Sequence, residues 1–321
     1  MAFAKENEDR YSVKPYGFRF EPLVQACRRS RPDFQSEKVD VLSGLNNLRQ
    51  IFKFVSGTDW QPFRADIQMI GKTMMMTRWE KDLNSMTHTS LCRGYGQGFE
   101  KVCTKQEEKA REATSHHRIV NYALGDLSVV VQYQADLRDC SFFSEEPDRT
   151  ALRLLKNTSG ALSSQDQARL QHESTDRSVL MLDIANIGVT HTIDCLLEVK
   201  SRDHKNNSTD DILAQIWLSG YHNLYLARHV RGCFDASGVQ HKNVQEDLVL
   251  WQSRHEEDVG AVQSILHTIR HTLQGDRMFH SAKKYALVLE HEDGKSVLKL
   301  WRRNGGQEML SKNLMQSFWA H

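Results

Sequence analysis

Leu197-Glu198-Val199-Lys200 sets a carboxylate and an ammonium two residues apart, at the end of the apolar run Ile193 to Lys200. In a strand that spacing puts both charged groups on one face. A second acid, Asp136, closes another strand-like run, Val129 to Asp136. Two carboxylates brought together hold a hard divalent cation, and a lysine one alternation away orients water or offsets developing negative charge. That is the equipment of metal-dependent phosphodiester hydrolysis. Glu-apolar-Lys alone is common in exposed strands, so the reading rests on what surrounds it.

Other clusters carry less. His267 and His271 are four apart on a helical stretch, but no HExxH pattern or third ligand accompanies them, and an exposed helix face accounts for them. Ser115-His116-His117 caps a strand, and Met74-Met75-Met76 suits strand core. Trp217 and Tyr221 are spaced to pack one helix onto a sheet. Gly94-Tyr95-Gly96-Gln97-Gly98 lacks both the Lys-Ser/Thr of a P-loop and the preceding strand of a dinucleotide fingerprint.

Four segments follow one another in a telling order. Leu48-Arg49-Gln50-Ile51 comes first. The second is Gly94-Tyr95-Gly96-Gln97-Gly98-Phe99-Glu100, and the third is Tyr133-Gln134-Ala135-Asp136 after Gly125-Asp126-Leu127. The fourth is Leu197-Glu198-Val199-Lys200-Ser201, with Gln215-Ile216-Trp217-Leu218-Ser219 on the helix beyond it. In this order the chain resembles the decapping exoribonuclease (DXO) family, in particular its divergent fungal members, within the PD-(D/E)XK nuclease superfamily. The likeness runs over roughly residues 39–235.

The resemblance implies a pocket for RNA 5′ ends and cleavage assisted by Mg²⁺ or Mn²⁺, with room for a partner exonuclease. By position, Glu100, Asp136 and Glu198 become metal ligands, with the Val199 carbonyl as a fourth. Glu198, Asp136 and Lys200 form the catalytic group. Arg49 holds a phosphate, and Gln134 and Gln215 line the substrate site. Two departures stand out. The family's Glu-x-Asp is here Gln134-x-Asp136, and its helix lysine and glutamine are here Gln215 and Ser219. An uncharged amide binds a hard cation less strongly than a carboxylate. A second reading therefore stays open: a nuclease-fold protein that has lost its chemistry and acts as an RNA-binding or protein-binding partner. A DNA-directed nuclease is the third, since the acidic core alone does not distinguish sugars.

The elements that must position these groups read as a mixed sheet flanked by helices, α/β (α+β), of PD-(D/E)XK type. Residues 1–38 read as an irregular arm with Pro15 and Pro22, and residues 39–321 as one nuclease-like domain with a polar insertion at about 141–178. Helical spacing appears over Val39–Val55, residues 92–112, Ile212–Leu226 and residues 257–273. Strands are expected in two runs within 61–80 about Gly71-Lys72, and at 117–124 and 127–136 about Gly125-Asp126. Further strands are expected near 229–234, 247–252, 284–291 and 296–302, before a short closing helix. Strands and helices interleave without regular βα alternation, against a doubly wound sheet.

Lys+Arg 42 against Asp+Glu 41 leaves a formal charge of +1, so a nucleic acid would be met by a local groove rather than an overall field. Six scattered cysteines without a CxxC pair suit a reducing compartment. No stretch approaches the roughly 20 apolar residues of a membrane span, and Met1 to Glu8 has no signal core. These features lead to the expectation of an intracellular protein, nuclear or cytoplasmic, without membrane association.

Overall fold

The computed structural model describes residues 2–3, 18–31, 33–58, 61–79, 95–105, 116–139, 193–206, 208–275 and 284–319. Two mixed sheets carry the chain. The larger has the order β12-β11-β3-β4-β2-β6-β5, built from β2 (Val41–Gly44), β3 (Phe63–Ile70), β4 (Thr73–Arg78), β5 (His117–Leu124), β6 (Leu127–Gln134), β11 (Lys284–Glu292) and β12 (Lys295–Arg302). The smaller has the order β1-β10-β9-β8-β7, from β1 (Ala2–Phe3), β7 (Leu137–Arg138), β8 (Leu196–Asp203), β9 (Asn223–Val230) and β10 (Cys233–Asn243). At the centre of the larger sheet β2 runs parallel to both β4 and β6, and in the smaller one β8 runs parallel to β9.

Alternation along β6 explains the layering. Val129, Val131 and Tyr133 point to one side and Val130 to the other, and all four are buried. The first side meets α2 (Leu45–Val55) through Leu48 and Ile51, α4 (Asp210–Ser219) through Ile212 and Ile216, and α6 (Glu256–Gly275) through Leu266 and Ile269. Trp251 of α5 (Gln245–Arg254) closes that core with no exposure at all. Each such aliphatic side chain removed from water contributes about 1.5–3 kcal/mol. The same core takes Leu196 and Leu224 from the smaller sheet, so one apolar body supports both. Val130, Leu42 and Met75 face a second core made by α1 (Glu21–Ser30) with Met309, Leu310 and Leu314, the last on α7 (Lys312–Trp319).

Several sequence expectations need correction. The arm of residues 1–38 is not irregular throughout, because α1 occupies Glu21–Ser30 and a 3₁₀ turn Ser36–Lys38. Pro22, read as a breaker, stands in the first helical turn, where its missing N–H costs nothing, and Leu23, Val24 and Cys27 form the buried stripe. The helix expected from Val39 begins only at Leu45. Val41–Gly44 is a strand, because its apolar side chains are needed by cores on both faces of the sheet.

The helix expected over Ile212–Leu226 stops at Ser219. Gly220 takes a left-handed conformation (φ +75°) that an L side chain resists, and β9 starts at Asn223. The strand expected near 229–234 is two strands joined by a turn at Arg231-Gly232, with His229 and Val230 ending β9 and Cys233 and Phe234 opening β10. The strand expected at 247–252 is helix α5: Trp251 is buried while Val249 and Leu250 stay 66% and 63% exposed, a helical distribution hidden inside an apolar run. The long helix at 92–112 is described only as α3 (Gly96–Cys103), and the insertion at 141–178 lies outside the described residues. The hairpins about Gly71-Lys72 and Gly125-Asp126, the helix of 257–273 and the closing hairpin are where the pattern put them.

Candidate active site

Strand β8 is the organising element. Its alternation sends Leu196, Glu198, Lys200 and Arg202 to the side of α2 and α4, while Val199 joins Phe99, Ala227 and Phe234 in a small cluster on the reverse side. Glu198 is fully buried. Its Oε1 accepts hydrogen bonds from Lys200 Nζ and from Gln215 Nε2, and its Oε2 accepts one from the Tyr221 hydroxyl. Gln215 reaches it because α4 lies across β8, and Tyr221 because the chain reverses at Gly220.

Asp136 lies between β6 and β7, and its Oδ2 accepts the Val199 N–H at 3.1 Å. Lys200 Nζ is 3.8 Å from the same oxygen, so one ammonium lies against both carboxylates. Burial pushes the Glu198 carboxyl up to about 7, with Lys200 opposing that rise and the neighbouring Asp136 charge adding to it. Burial likewise lowers the pKa of Arg49 on α2, against the raising influence of Glu198 and Asp211. Arg49 thus lies within the field of the site. Arg202 pairs with Asp211 at the start of α4.

The candidate residues therefore separate. Asp136, Glu198, Lys200 and Gln215 are in mutual contact, and Arg49 is electrostatically coupled to them. Gln134 is exposed at the end of β6. Glu100 is on α3, whose Phe99 packs on the Val199 side of β8, the reverse of the Glu198 face. Among the described residues no three His, Cys, Asp or Glu side chains are grouped closely enough to hold a metal ion. Ser219 turns its hydroxyl back to the Gln215 carbonyl at 2.8 Å, which removes it from the site.

Two participants escaped the sequence. Tyr221, read as a packing residue, is a donor to Glu198, and Tyr133 stacks beside it with ring centroids 5.4 Å apart. Tyr133 has a buried hydroxyl with no hydrogen-bond partner, and burial pushes it up to about 12, Glu198 adding to the rise. Their one visible signal was position, next to Gln134 and just past the Gln215 helix.

The donor set passes a chemical test for a hard divalent ion. Asp136 and Glu198 present carboxylate oxygens to a single cationic group, and burial, with the Asp136 charge adding to it, disfavours the ionised Glu198 in a way that a bound cation would offset. A Mg²⁺-type ion is commonly held by one or two carboxylates, completed by water and substrate phosphate.

Mixed sheets flanked by helices, with Glu198 on β8 and Asp136 beside it, form an α+β fold of PD-(D/E)XK nuclease-like type. The chain belongs to the family described as "Domain of unknown function (DUF8563)", whose model matches residues 4–319. Solved structures share the fold at low identity. Candida albicans Rai1 in complex with pU5-Mn²⁺ is 12% identical with a TM-score of 0.59, over 94% of this chain and 81% of that one. Scheffersomyces stipitis Rai1 in complex with (3′-NADP)⁺ and calcium ion is 11% identical with a TM-score of 0.57, over 94% and 80%. K. lactis Dxo1 in complex with manganese is 11% identical with a TM-score of 0.50, over 96% and 76%. No curated protein matches the sequence.

Proposed function

We infer that this chain is a divalent-metal-dependent hydrolase of RNA 5′ ends, of decapping, pyrophosphohydrolase or 5′–3′ exoribonuclease type. The observation that carries the reading is the buried Glu198, held by Lys200, Gln215 and Tyr221 beside Asp136. Support comes from structural relatives crystallised with pU5-Mn²⁺ and with (3′-NADP)⁺ and calcium.

In this reading Asp136 and Glu198 would hold the ion, with the Val199 carbonyl, substrate and water available to complete its shell. When bound, the ion supplies Lewis-acid polarisation of a phosphoryl oxygen and a more acidic water. The remaining work belongs to the chain. Tyr221 and Gln215 fix the Glu198 carboxylate by donating to its two oxygens. Lys200, released from its contact with Glu198, meets the negative charge that develops on the phosphate. Arg49 orients a neighbouring phosphate, and its burial strengthens that attraction. Gln134, exposed at the end of β6 two residues before Asp136, would hydrogen-bond a sugar or base of the bound RNA.

Incubation with 5′-triphosphate, 5′-monophosphate and capped RNA, with Mn²⁺ or Mg²⁺ and a DNA control, tests the reading. Cleavage of one RNA class by the parent and not by Glu198→Ala is expected. No turnover of any of them defeats the hydrolase reading.

A second reading has its own observation. Both oxygens of Glu198 are engaged by donors of the chain itself, and the internal ammonium of Lys200 stands where a cation would stand. A protein in that state binds RNA or a partner without cleaving. RNA binding that is retained in EDTA, with no turnover in Mn²⁺, selects it.

A further inference from the structure

A second cavity opens at the carboxyl-end edge of the larger sheet. The parallel strands β2, β4 and β6 all end at one place, where Gly44, Thr77 and Gln132 line a cavity of about 340 Å³. Crevices at the carboxyl ends of parallel strands are the usual ligand sites of such sheets, and this volume accommodates a small organic ligand.

Three features give that cavity a chemistry. Helix α2 begins directly after Gly44, with no side-chain cap and no acidic residue in its first turn, so its unpaired N–H groups and the positive end of its dipole are uncompensated. Arg19 and Arg78 line the same space, and neither makes an ion pair or side-chain hydrogen bond among the described residues. Asn47 lines it as well and is 2% exposed. Its Nδ2 donates to Ser43 Oγ at 3.2 Å and to the Met76 carbonyl at 3.1 Å, which fixes the amide orientation. Its Oδ1 is left buried with no partner. A buried acceptor in that condition costs about 1–3 kcal/mol, a penalty that a ligand donor would remove.

We propose that this cavity binds a nucleotide through its phosphate. Arg19, Arg78 and the start of α2 take the anion, and Asn47 Oδ1 accepts a hydrogen bond from a sugar hydroxyl or a base amine of the same molecule. Gln132 and Thr77 belong to the sheet face that packs on α1, whereas Tyr133 faces the core on the side of Glu198. Arg49, Asp136, Glu198, Lys200 and Gln215 are not among the residues that line the cavity, so it is distinct from the candidate active site.

Calorimetric titration of the full chain in EDTA with adenosine 5′-monophosphate, inorganic phosphate and a 5′-phosphorylated five-nucleotide RNA tests it. Adenosine monophosphate is expected to bind more tightly than phosphate, and Arg19→Ala or Arg78→Ala to weaken it about tenfold. Arg78→Lys recovers part of that loss, and Glu198→Gln leaves the affinity unchanged. Circular dichroism of each variant confirms the fold, since both arginines lie outside the packed cores. If the RNA shows the same arginine dependence, the phosphate comes from a strand; dependence with the mononucleotide alone identifies a free nucleotide. Binding indifferent to both arginines, binding lost in Glu198→Gln, or phosphate bound as tightly as the nucleotide overturns the proposal.

Discussion

Glu198 and Lys200, one alternation apart on β8, make a direct ion pair in which the carboxylate is fully buried and the ammonium is 24% exposed. The acid is thus anchored in the protein while the base reaches the opening. Opposite charges that close in a buried setting stabilise only when every remaining oxygen is satisfied. Here Gln215 and Tyr221 satisfy them.

Stability in metal-free buffer should fall as pH rises from about 5 toward 8. The Glu198 carboxyl is raised from 4.5 to about 7, so the folded state binds the proton more tightly than the unfolded one. The stabilisation is complete below the unfolded value and is lost as pH passes the folded value, a change of about 3 kcal/mol at most. Urea denaturation at pH 5 and pH 8 measures it, and Glu198→Gln should flatten the difference. An equal slope in that variant refutes the assignment.

Mn²⁺ should raise the melting temperature of the parent but not of Asp136→Ala or Glu198→Ala. A ligand at a hundred times its dissociation constant adds about 2.7 kcal/mol. The shift should grow with pH from 6 to 8, because the ion competes with a proton at Glu198. A shift of equal size in both variants places the ion elsewhere.

Tyr221→Phe removes one donor from a buried carboxylate and leaves the ring packing against Tyr133 in place. We expect a loss of about 1–3 kcal/mol at pH 8, where Glu198 is ionised, and much less at pH 5. Thermal melts at the two pH values separate this from a simple packing defect, which would cost the same at both.

Asp136→Ala deprives the Val199 N–H of its acceptor and should cost about 1 kcal/mol of stability. If the hydrolase reading is correct, turnover falls by more than about a hundredfold while RNA affinity changes little. Single-turnover kinetics beside a binding titration check both halves.

Strand alternation and turn chemistry were legible in one dimension. Val129 to Tyr133 announces a strand with two buried faces, Gly125-Asp126 its hairpin, and Glu198 and Lys200 a shared face. These follow from local geometry, since a period of two and the turn preferences of glycine act over a few residues. Where local signals conflicted they misled. Leu248-Val249-Leu250-Trp251 is strand-like in composition, yet it is a helix because Leu248 and Trp251, three apart, meet the core while Val249 and Leu250 face outward. Arm residues Leu23, Val24 and Cys27 became a helix because Met309 and Leu310, nearly three hundred positions away, supply the surface they cover.

Taken alone, the sequence established which side chains had the chemistry and that Glu198 and Lys200 would point the same way, since covalent spacing along a strand dictates direction. Only the tertiary structure decided their company. It set Asp136 and Gln215 against Glu198, brought in Tyr221, and packed α3 with Glu100 against the other face of β8. The physical reason is that such contacts are fixed by how helices and sheets bury their apolar faces, a property of the whole packed molecule that no short stretch of chain contains.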